Sequence, residues 1–387
     1  MRRLAAILVA VSVVACAPRM TAPPPVPPVP PPSLPDRFGL IPNGFEHLPG
    51  WRDDGAAGVL PAFVRTCERL MKLPFDKSVG RDGMGGTVGD WYTPCAAARR
   101  LSVNDHETAR VFFEGWFTPH LVTNNGRADG LFTGYFEPEL AGSRTRTARF
   151  TVPLHGRPKD LVVKGEQVGR MVGGQLVPYA TRAEIEAGAL ANLAPVVAWV
   201  EDPVDAHILH IQGSGRISLD DGTVLRLGVA GTNGHKFVGI GRVMRERGLL
   251  DDVSMPSIRA WLKANPGRSR ALMAENPRYV FYKEINGDGP VGSEGVALTP
   301  GRSLAVDPKF IPLGVPLFLD TLEPSGKPLR RLVVAQDTGA AIKGPIRGDF
   351  FWGPGEAAFE TAGRMKSNGR YWLLLPKART PRIAQAD

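Results

Sequence analysis

The chain has 387 residues, 43% of them hydrophobic, with 45 glycines, 36 prolines and a formal net charge of +9. Three cysteines and seven histidines without ligand spacing exclude a zinc or iron site, and a positive balance with no basic run or stacking motif speaks against nucleic acid. Glycine and proline richness with modest helix signals points to many short strands, in one large domain or two moderate ones.

Met1-Arg2-Arg3 precedes an apolar run over residues 4–15 that is too brief to span a bilayer. It reads as a secretory signal peptide. The run ends Val13-Val14-Ala15-Cys16, which resembles the lipobox of bacterial lipoproteins, whose cysteine becomes the first mature residue and carries acyl chains. Cys16 is therefore the expected lipid anchor. Several chains on one cysteine hold far better than one, since each buried methylene contributes about 0.8 kcal/mol. Ala17, where a plasma-membrane retention signal would have Asp, directs the expectation to the outer membrane, facing the periplasm. Residues 16–38, with Pro23-Pro24-Pro25-Val26-Pro27-Pro28 at their centre, form a spacer of polyproline II type, although a ligand for a partner domain has the same composition.

Two cysteines remain, Cys67 and Cys95, and an oxidising compartment makes a disulfide between them the expectation, with two buried thiols as the alternative. Asn104 caps a helix with Glu107 three residues on and a stripe of Ala109, Phe112, Phe113 and Trp116. Thr181 opens another with Glu184 at capping-box spacing, closing near Gly188, and helices over residues 238–247 and 254–264 complete a central cluster. Between them, Ala206-His207-Ile208-Leu209-His210-Ile211 alternates as a strand does, which places His207 and His210 on opposite faces. Strands follow over residues 278–283, 304–307, 315–320, 329–337 and 370–375, so the C-terminal third is mostly sheet, before a frayed tail at 378–387.

The chemistry gathers near that end. Gln336-Asp337-Thr338-Gly339 and Gly348-Asp349-Phe350-Phe351-Trp352-Gly353 hold two carboxylates in glycine-bounded, aromatic-flanked turns. Aromatic neighbours desolvate a carboxylate, raise its pKa and let it keep a proton at neutral pH, as a general acid at a glycosidic bond must. Asp349 is the first catalytic candidate, against the plainer use of Asp beside Gly to satisfy backbone N–H groups in a tight turn. Cell-wall glycan, with its lactyl and peptide carboxylates, is the acidic polymer that the expected compartment offers to a basic protein.

Resemblance adds to this. Phe132-Thr133-Gly134-Tyr135-Phe136-Glu137-Pro138, Thr181-Arg182-Ala183-Glu184-Ile185, Ile211-Gln212-Gly213-Ser214-Gly215, Asn233-Gly234-His235 and Ser257-Ile258-Arg259-Ala260-Trp261 resemble motifs of the membrane-bound lytic transglycosylase A family. So do the Asp337 and Asp349 segments, and the likeness runs in unbroken order over about residues 39–377. The C-terminal part also resembles the three-aspartate domain, whose namesakes would be Asp307, Asp337 and Asp349. The resemblance implies a mainly β protein, a double-psi β-barrel built from residues 39–139 and 278–377 with a smaller β-rich domain, 140–277, inserted and a few helices. It implies a groove between the two that holds glycan, with Thr133 and Tyr135 on one side and Gln212 and Ser214 on the other, four residues whose local reading is only strand-end packing and a glycine-flanked turn.

The implied reaction cleaves the β-1,4 bond between N-acetylmuramic acid and N-acetylglucosamine without water and leaves a 1,6-anhydro ring. One acid suffices, because the sugar's own 6-hydroxyl attacks. Asp349 would protonate the leaving oxygen and then accept the hydroxyl proton, while Asp337 stays ionised to stabilise positive charge or hold the loop, and Asp307 shapes a turn before Pro308. No cofactor or metal is required by that chemistry. The expected partners are peptidoglycan strands and, through the anchor, the outer membrane. Cell-wall synthesis proteins are candidate partners, and the expected state is a monomer. Ala340 stands where the family more often has a second glycine, which is tolerated if φ there is negative. Two rivals stand beside this reading: an inverting glycoside hydrolase using Asp337, Asp349 and a water, and a non-catalytic peptidoglycan-binding lipoprotein.

Overall fold

After one short strand, helices lead the molecule, which a computed structural model describes over residues 35–287 and 289–377. Cys16, the signal run, most of the spacer and the tail from 378 lie outside the described residues. Helix α1 (Leu60–Leu70) carries a proline in its first turn and buries Phe63, Thr66, Cys67 and Leu70 on one face. Helix α2 (Val88–Ala98) starts at a capping box of Thr87 and Asp90. Cys67 and Cys95 are disulfide-bonded across this pair, with Cα atoms 5.3 Å apart. Helix α3 (His106–Trp116) buries Ala109, Phe112 and Phe113. Its cap is Asp105, which accepts from Thr108 N at 2.9 Å, and not Asn104. Helices therefore begin well before the central cluster that the sequence suggested; Pro94 inside α2 masks its pattern.

Strand β1 (Phe38–Pro42) pairs antiparallel with β2 (Phe117–Asn124), and β3 (Gly130–Glu137) follows. At Pro138 the chain leaves for a second sheet. There β4 (Glu139–Ser143), β5 (Val152–His155), β9 (Val196–Val200), β10 (Gly215–Leu219), β11 (Val224–Thr232) and β12 (Val280–Glu284) form six strands in the order β12-β11-β10-β4-β9-β5. Strands β6 (Val162–Lys164), β7 (Gln167–Val172) and β8 (Gln175–Pro178) make a separate three-stranded sheet.

Five helices accompany these sheets. Helix α4 (Arg182–Glu184) has the expected Thr181–Glu184 capping box and unwinds through a wide turn to Gly188 at φ 104°. Helix α5 (Pro203–Gln212) overturns the strand expected around His207 and His210. Asp202 caps it through Val204 N at 2.7 Å, Pro203 opens it, and Gly213 in the left-handed region closes it. Three residues apart on a helix, the two histidines share a side instead of facing apart. Both are buried, and desolvation holds both pKa values well below the ordinary histidine range, so they are neutral packing groups at neutral pH. Helices α6 (Ile240–Glu246), α7 (Met255–Ala264) and α8 (Pro266–Ala274) complete this part.

The chain then returns through β13 (Ser303–Val306), β14 (Pro316–Leu322), β15 (Pro328–Asp337), β16 (Arg347–Pro354), helix α9 (Gly355–Arg364) and β17 (Lys366–Pro376). The first sheet runs β1-β2-β17-β14-β15-β13-β16-β3, and a further pairing of β3 with β17 closes six of these strands into a ring. One strand makes that closure possible: residues 366–369 of β17 pair with β3, and residues 372–376 pair with β2. Phe132, Leu304, Val306, Leu317, Val334, Phe350 and Leu373 fill the core of this part.

Phe136 of β3, Val204 and Ile208 of α5, Leu262 of α7 and Phe359 of α9 form a second apolar cluster where ring and second sheet meet. Beside it, buried Glu137 accepts from Arg216 Nε of β10 at 2.7 Å, fixing the end of β3 to the second sheet.

Candidate active site

Strand pairing decides which side chains meet. In the parallel ladder of β16 and β3, Asp349 lies opposite Thr133 and Phe351 opposite Tyr135; on its other side β16 pairs antiparallel with β13, Asp349 opposite Ala305. A period of two puts Thr133, Tyr135, Asp349 and Phe351 on one face, while Phe132 and Phe350 enter the core. Gly134, between the two site residues of β3, has no space for a side chain: a Cβ there would lie 2.6 Å from Trp352 Nε1 and 2.9 Å from Ala362 Cα.

The expected aromatic shield is thus only partly realised. Phe350 turns into the core and stacks edge-on with Trp352, so of the three aromatic residues after Asp349 it is Phe351 that shares its face, packed on Tyr135 at 5.1 Å between ring centroids.

Asp349 Oδ1 accepts a short hydrogen bond from Thr133 Oγ1, which itself accepts from Arg347 Nη2 at 2.8 Å. Burial raises the Asp349 pKa to about 6; the Thr133 hydroxyl and Arg347 pull it down, and the charge of Asp337 pushes it up. Asp337 has more support for its ionised form. Its Oδ1 accepts from Ser293 N, Ser293 Oγ and Thr338 N, each at 2.9 Å, and its Oδ2 accepts from Tyr135 OH at 3.1 Å. Burial still raises its pKa against the pull of those donors. Burial and the two carboxylates together raise the Tyr135 phenol well above its ordinary range, so it remains a donor.

Of the other predicted contacts, Gln212 reaches the strand from outside the ring: its Oε1 accepts from Phe136 N at 3.2 Å. Ser214, half-exposed beyond Gly213, makes no hydrogen bond to the carboxylates or to Thr133 and Tyr135. Asp307 is buried and accepts from Lys309 N and Gly344 N at 3.1 and 2.9 Å, a turn-holding arrangement. Among the described residues the non-glycine positions with positive φ are Asp82, Asn125 and Asn192, so Ala340 fits its backbone without strain.

Arg347, Ser293 and Thr338 were missed in the sequence. Arg347 was legible, two residues before Asp349 on the same face of a strand; Ser293 lies in an irregular segment with no periodicity to mark it. Asp337 and Asp349 are part-exposed and do not line the cavities bordered by Asp205 and Arg259, by His207 and Tyr279, or by Trp51 and Phe117. The cavity that borders strand β3, about 370 Å³, is walled by Phe136, Glu139, Asp205, Arg259 and Phe359. Among the described residues no group of three or more His, Cys, Asp or Glu side chains is placed to hold a metal ion, and no helix is long and apolar enough to cross a membrane.

Residues 131–283 match the family model described as the MltA specific insert domain, and residues 302–375 match the 3D domain. A crystal structure of MltA from Neisseria gonorrhoeae is 36% identical, with 89% of this chain and 94% of that one covered and a TM-score of 0.76. The chain belongs to the MltA family. Its ring of six strands is the double-psi β-barrel of MltA structures. The membrane-bound lytic murein transglycosylase A of Vibrio cholerae is 34% identical over 254 residues, 63% of this chain; the chain spans 65% of that relative's length. MltA of E. coli, crystallised with bound chitohexaose, is 26% identical, with 88% and 95% of the chains covered and a TM-score of 0.65.

Proposed function

We propose that the protein is a lytic murein transglycosylase that cuts the N-acetylmuramic acid β-1,4-N-acetylglucosamine bond and leaves a 1,6-anhydro ring, with Asp349 as the only acid and base. The observation that carries this is the pair of unlike carboxylates on one face, Asp349 with a pKa near 6 and Asp337 gripped by four donors.

Protonated Asp349 gives its proton to the glycosidic oxygen as the bond from C1 to that oxygen breaks. The 6-hydroxyl of the same sugar then attacks C1, and its proton goes to the Asp349 carboxylate, which regenerates the acid. No water is consumed. Asp337, kept ionised by its donors, faces the positive charge that develops at the ring. Glycan covering the part-exposed Asp349 would strip more water from it and favour the protonated form further.

An extended polymer needs an open trough, and the part-exposed placement of both carboxylates supports one. Thr133 and Tyr135 would line it from the barrel, assigned residues 39–139 and 278–377. Gln212 and Ser214 would line it from the insert, assigned 140–277. The relative crystallised with chitohexaose supports a β-1,4-linked aminosugar strand as ligand. Lipidation at Cys16 would hold the protein at the outer membrane beside that substrate.

Purified sacculi digested with the protein and examined by mass spectrometry test the proposal. Muropeptides one water lighter, with anhydro ends, are the expected products. Reducing-end products would replace the proposal with hydrolysis by Asp337, Asp349 and a water.

A further inference from the structure

Glu294 is a carboxylate that the proposed mechanism does not use, yet it lies directly behind Asp337. Its side chain is fully buried, Oε2 accepts from Thr66 Oγ1 at 2.8 Å, and Oε1 stands 3.8 Å from Arg69 Nη1 with no hydrogen-bond partner. Thr66 and Arg69 are three residues apart on α1 and so present one side of that helix. The same Thr66 hydroxyl accepts from Gln336 Nε2 at 3.0 Å, and Gln336 also donates to Ala62 O at 2.9 Å and accepts from Ser303 Oγ at 2.6 Å. Glu294 N donates to Gln336 O at 3.0 Å. One buried hydroxyl therefore ties together the immediate neighbours of Ser293 and Asp337. Gly314 packs closely enough on the glutamate that a Cβ there would sit 2.9 Å from Oε1.

We infer that Glu294 is a positioning residue: its buried side chain, held on α1, sets the Ser293 amide and hydroxyl against Asp337 Oδ1, and an ionised Glu294 loosens that grip. The inference rests on the proposed function for its catalytic consequence, but the grip itself is independent of activity. Desolvation raises the Glu294 pKa to about 7, opposed by Thr66, Arg69 and Gln336. Among the described residues Arg69 is the one charged group facing it, and at 3.8 Å it compensates only in part for a charge with an unbonded oxygen. Raising the pH through 7 places that charge under the Ser293 turn, which must open to hydrate it.

The test is hydrogen exchange at the Ser293 amide, read by mass spectrometry on the full chain and corrected for intrinsic rate, beside the pH profile of murein release. In the wild type, protection of Ser293 falls about tenfold from roughly pH 6 to pH 8, while Glu294→Gln, which keeps the shape and cannot ionise, stays flat. Glu294→Ala loses about tenfold in protection at every pH. Murein release by the wild type falls more steeply above about pH 7 than one proton allows, and Glu294→Gln restores a one-proton slope. A group that merely stabilised the fold would lower the melting temperature of the variants without changing that slope.

Ser293 protection that is the same in wild type and Glu294→Gln across the range overturns the inference, whether or not the protein cuts murein. Should Glu294→Ala not fold, the wild type and Glu294→Gln still decide. Wild-type protein that shows the Ser293 transition but releases no anhydro products overturns the proposed activity and leaves the positioning of Asp337 standing.

Discussion

Two regions a few strands apart hold the site's carboxylates under different terms. Around Asp349, paired strands supply a single donor, the Thr133 hydroxyl, and the nearby cation Arg347 spends its Nη2 on that same hydroxyl. Around Asp337, the end of a strand meets an irregular segment, and four donors converge on the two oxygens. Burial raises both pKa values. What separates the two is the number of N–H and O–H groups aimed at the charged form, and backbone ladders limit that number because their own N–H groups are already engaged.

The contrast breaks first at Asp349. Asp349→Asn is expected to cut murein release about a thousandfold with the fold intact by circular dichroism, since an amide can neither give nor take the proton. Comparable residual activity in that variant would move the acid elsewhere. Asp337→Asn is expected to cost about a hundredfold, because it removes a charge near the developing oxocarbenium while leaving the proton path. If the two losses come out reversed, the roles are exchanged.

Stability reads the same contrast without substrate. The Asp349 pKa is raised in the folded state, so the stability it contributes is fully present below about pH 4 and is lost as the pH rises through about 6. Asp349→Asn escapes that loss. In urea titrations the variant should be more stable than the wild type by about 3 kcal/mol near pH 8, and the difference should vanish near pH 3.5.

The smallest effect sharpens the donor count. Thr133→Val removes the one hydroxyl that favours the Asp349 carboxylate, so the alkaline limb of the rate should move up by about half a pH unit, roughly threefold in rate on the limb. An acid-ward shift would show that Arg347, released from Thr133, dominates instead.

Much of this was legible before any coordinates, and the gaps have physical causes. Five of the six strands from β12 to β17 stand within a few residues of their predicted places because alternation and turn residues agree there, whereas Asp349, expected in a glycine-bounded turn, lies within β16. His207 and His210 were misread because the run was taken at a period of two although its histidines recur three residues apart, and the decisive signal was just upstream in Asp202-Pro203, a cap followed by a first-turn proline. Asp349 was conspicuous, but its shield was assigned to all three aromatics because local sequence does not say which face a strand residue takes. The pairing of Thr133 with Asp349 spans 216 residues; the resemblance placed both residues at the site but did not join them. Ser293 and Glu294 carried no local mark, since a buried polar network is assembled from separate stretches of chain.

That separation has a consequence for when the molecule can act. A ribosome completes β3 about 200 residues before it delivers β16, an interval of about 10 to 40 s at ordinary rates of synthesis. During that interval the barrel has one share of its staves and lacks Asp349, and any product that stops early lacks the partner for Thr133 altogether. The wall-cutting activity proposed above would be installed by the last strands to arrive and so would be silent in nascent and truncated chains alike, which makes the order of synthesis itself a safeguard.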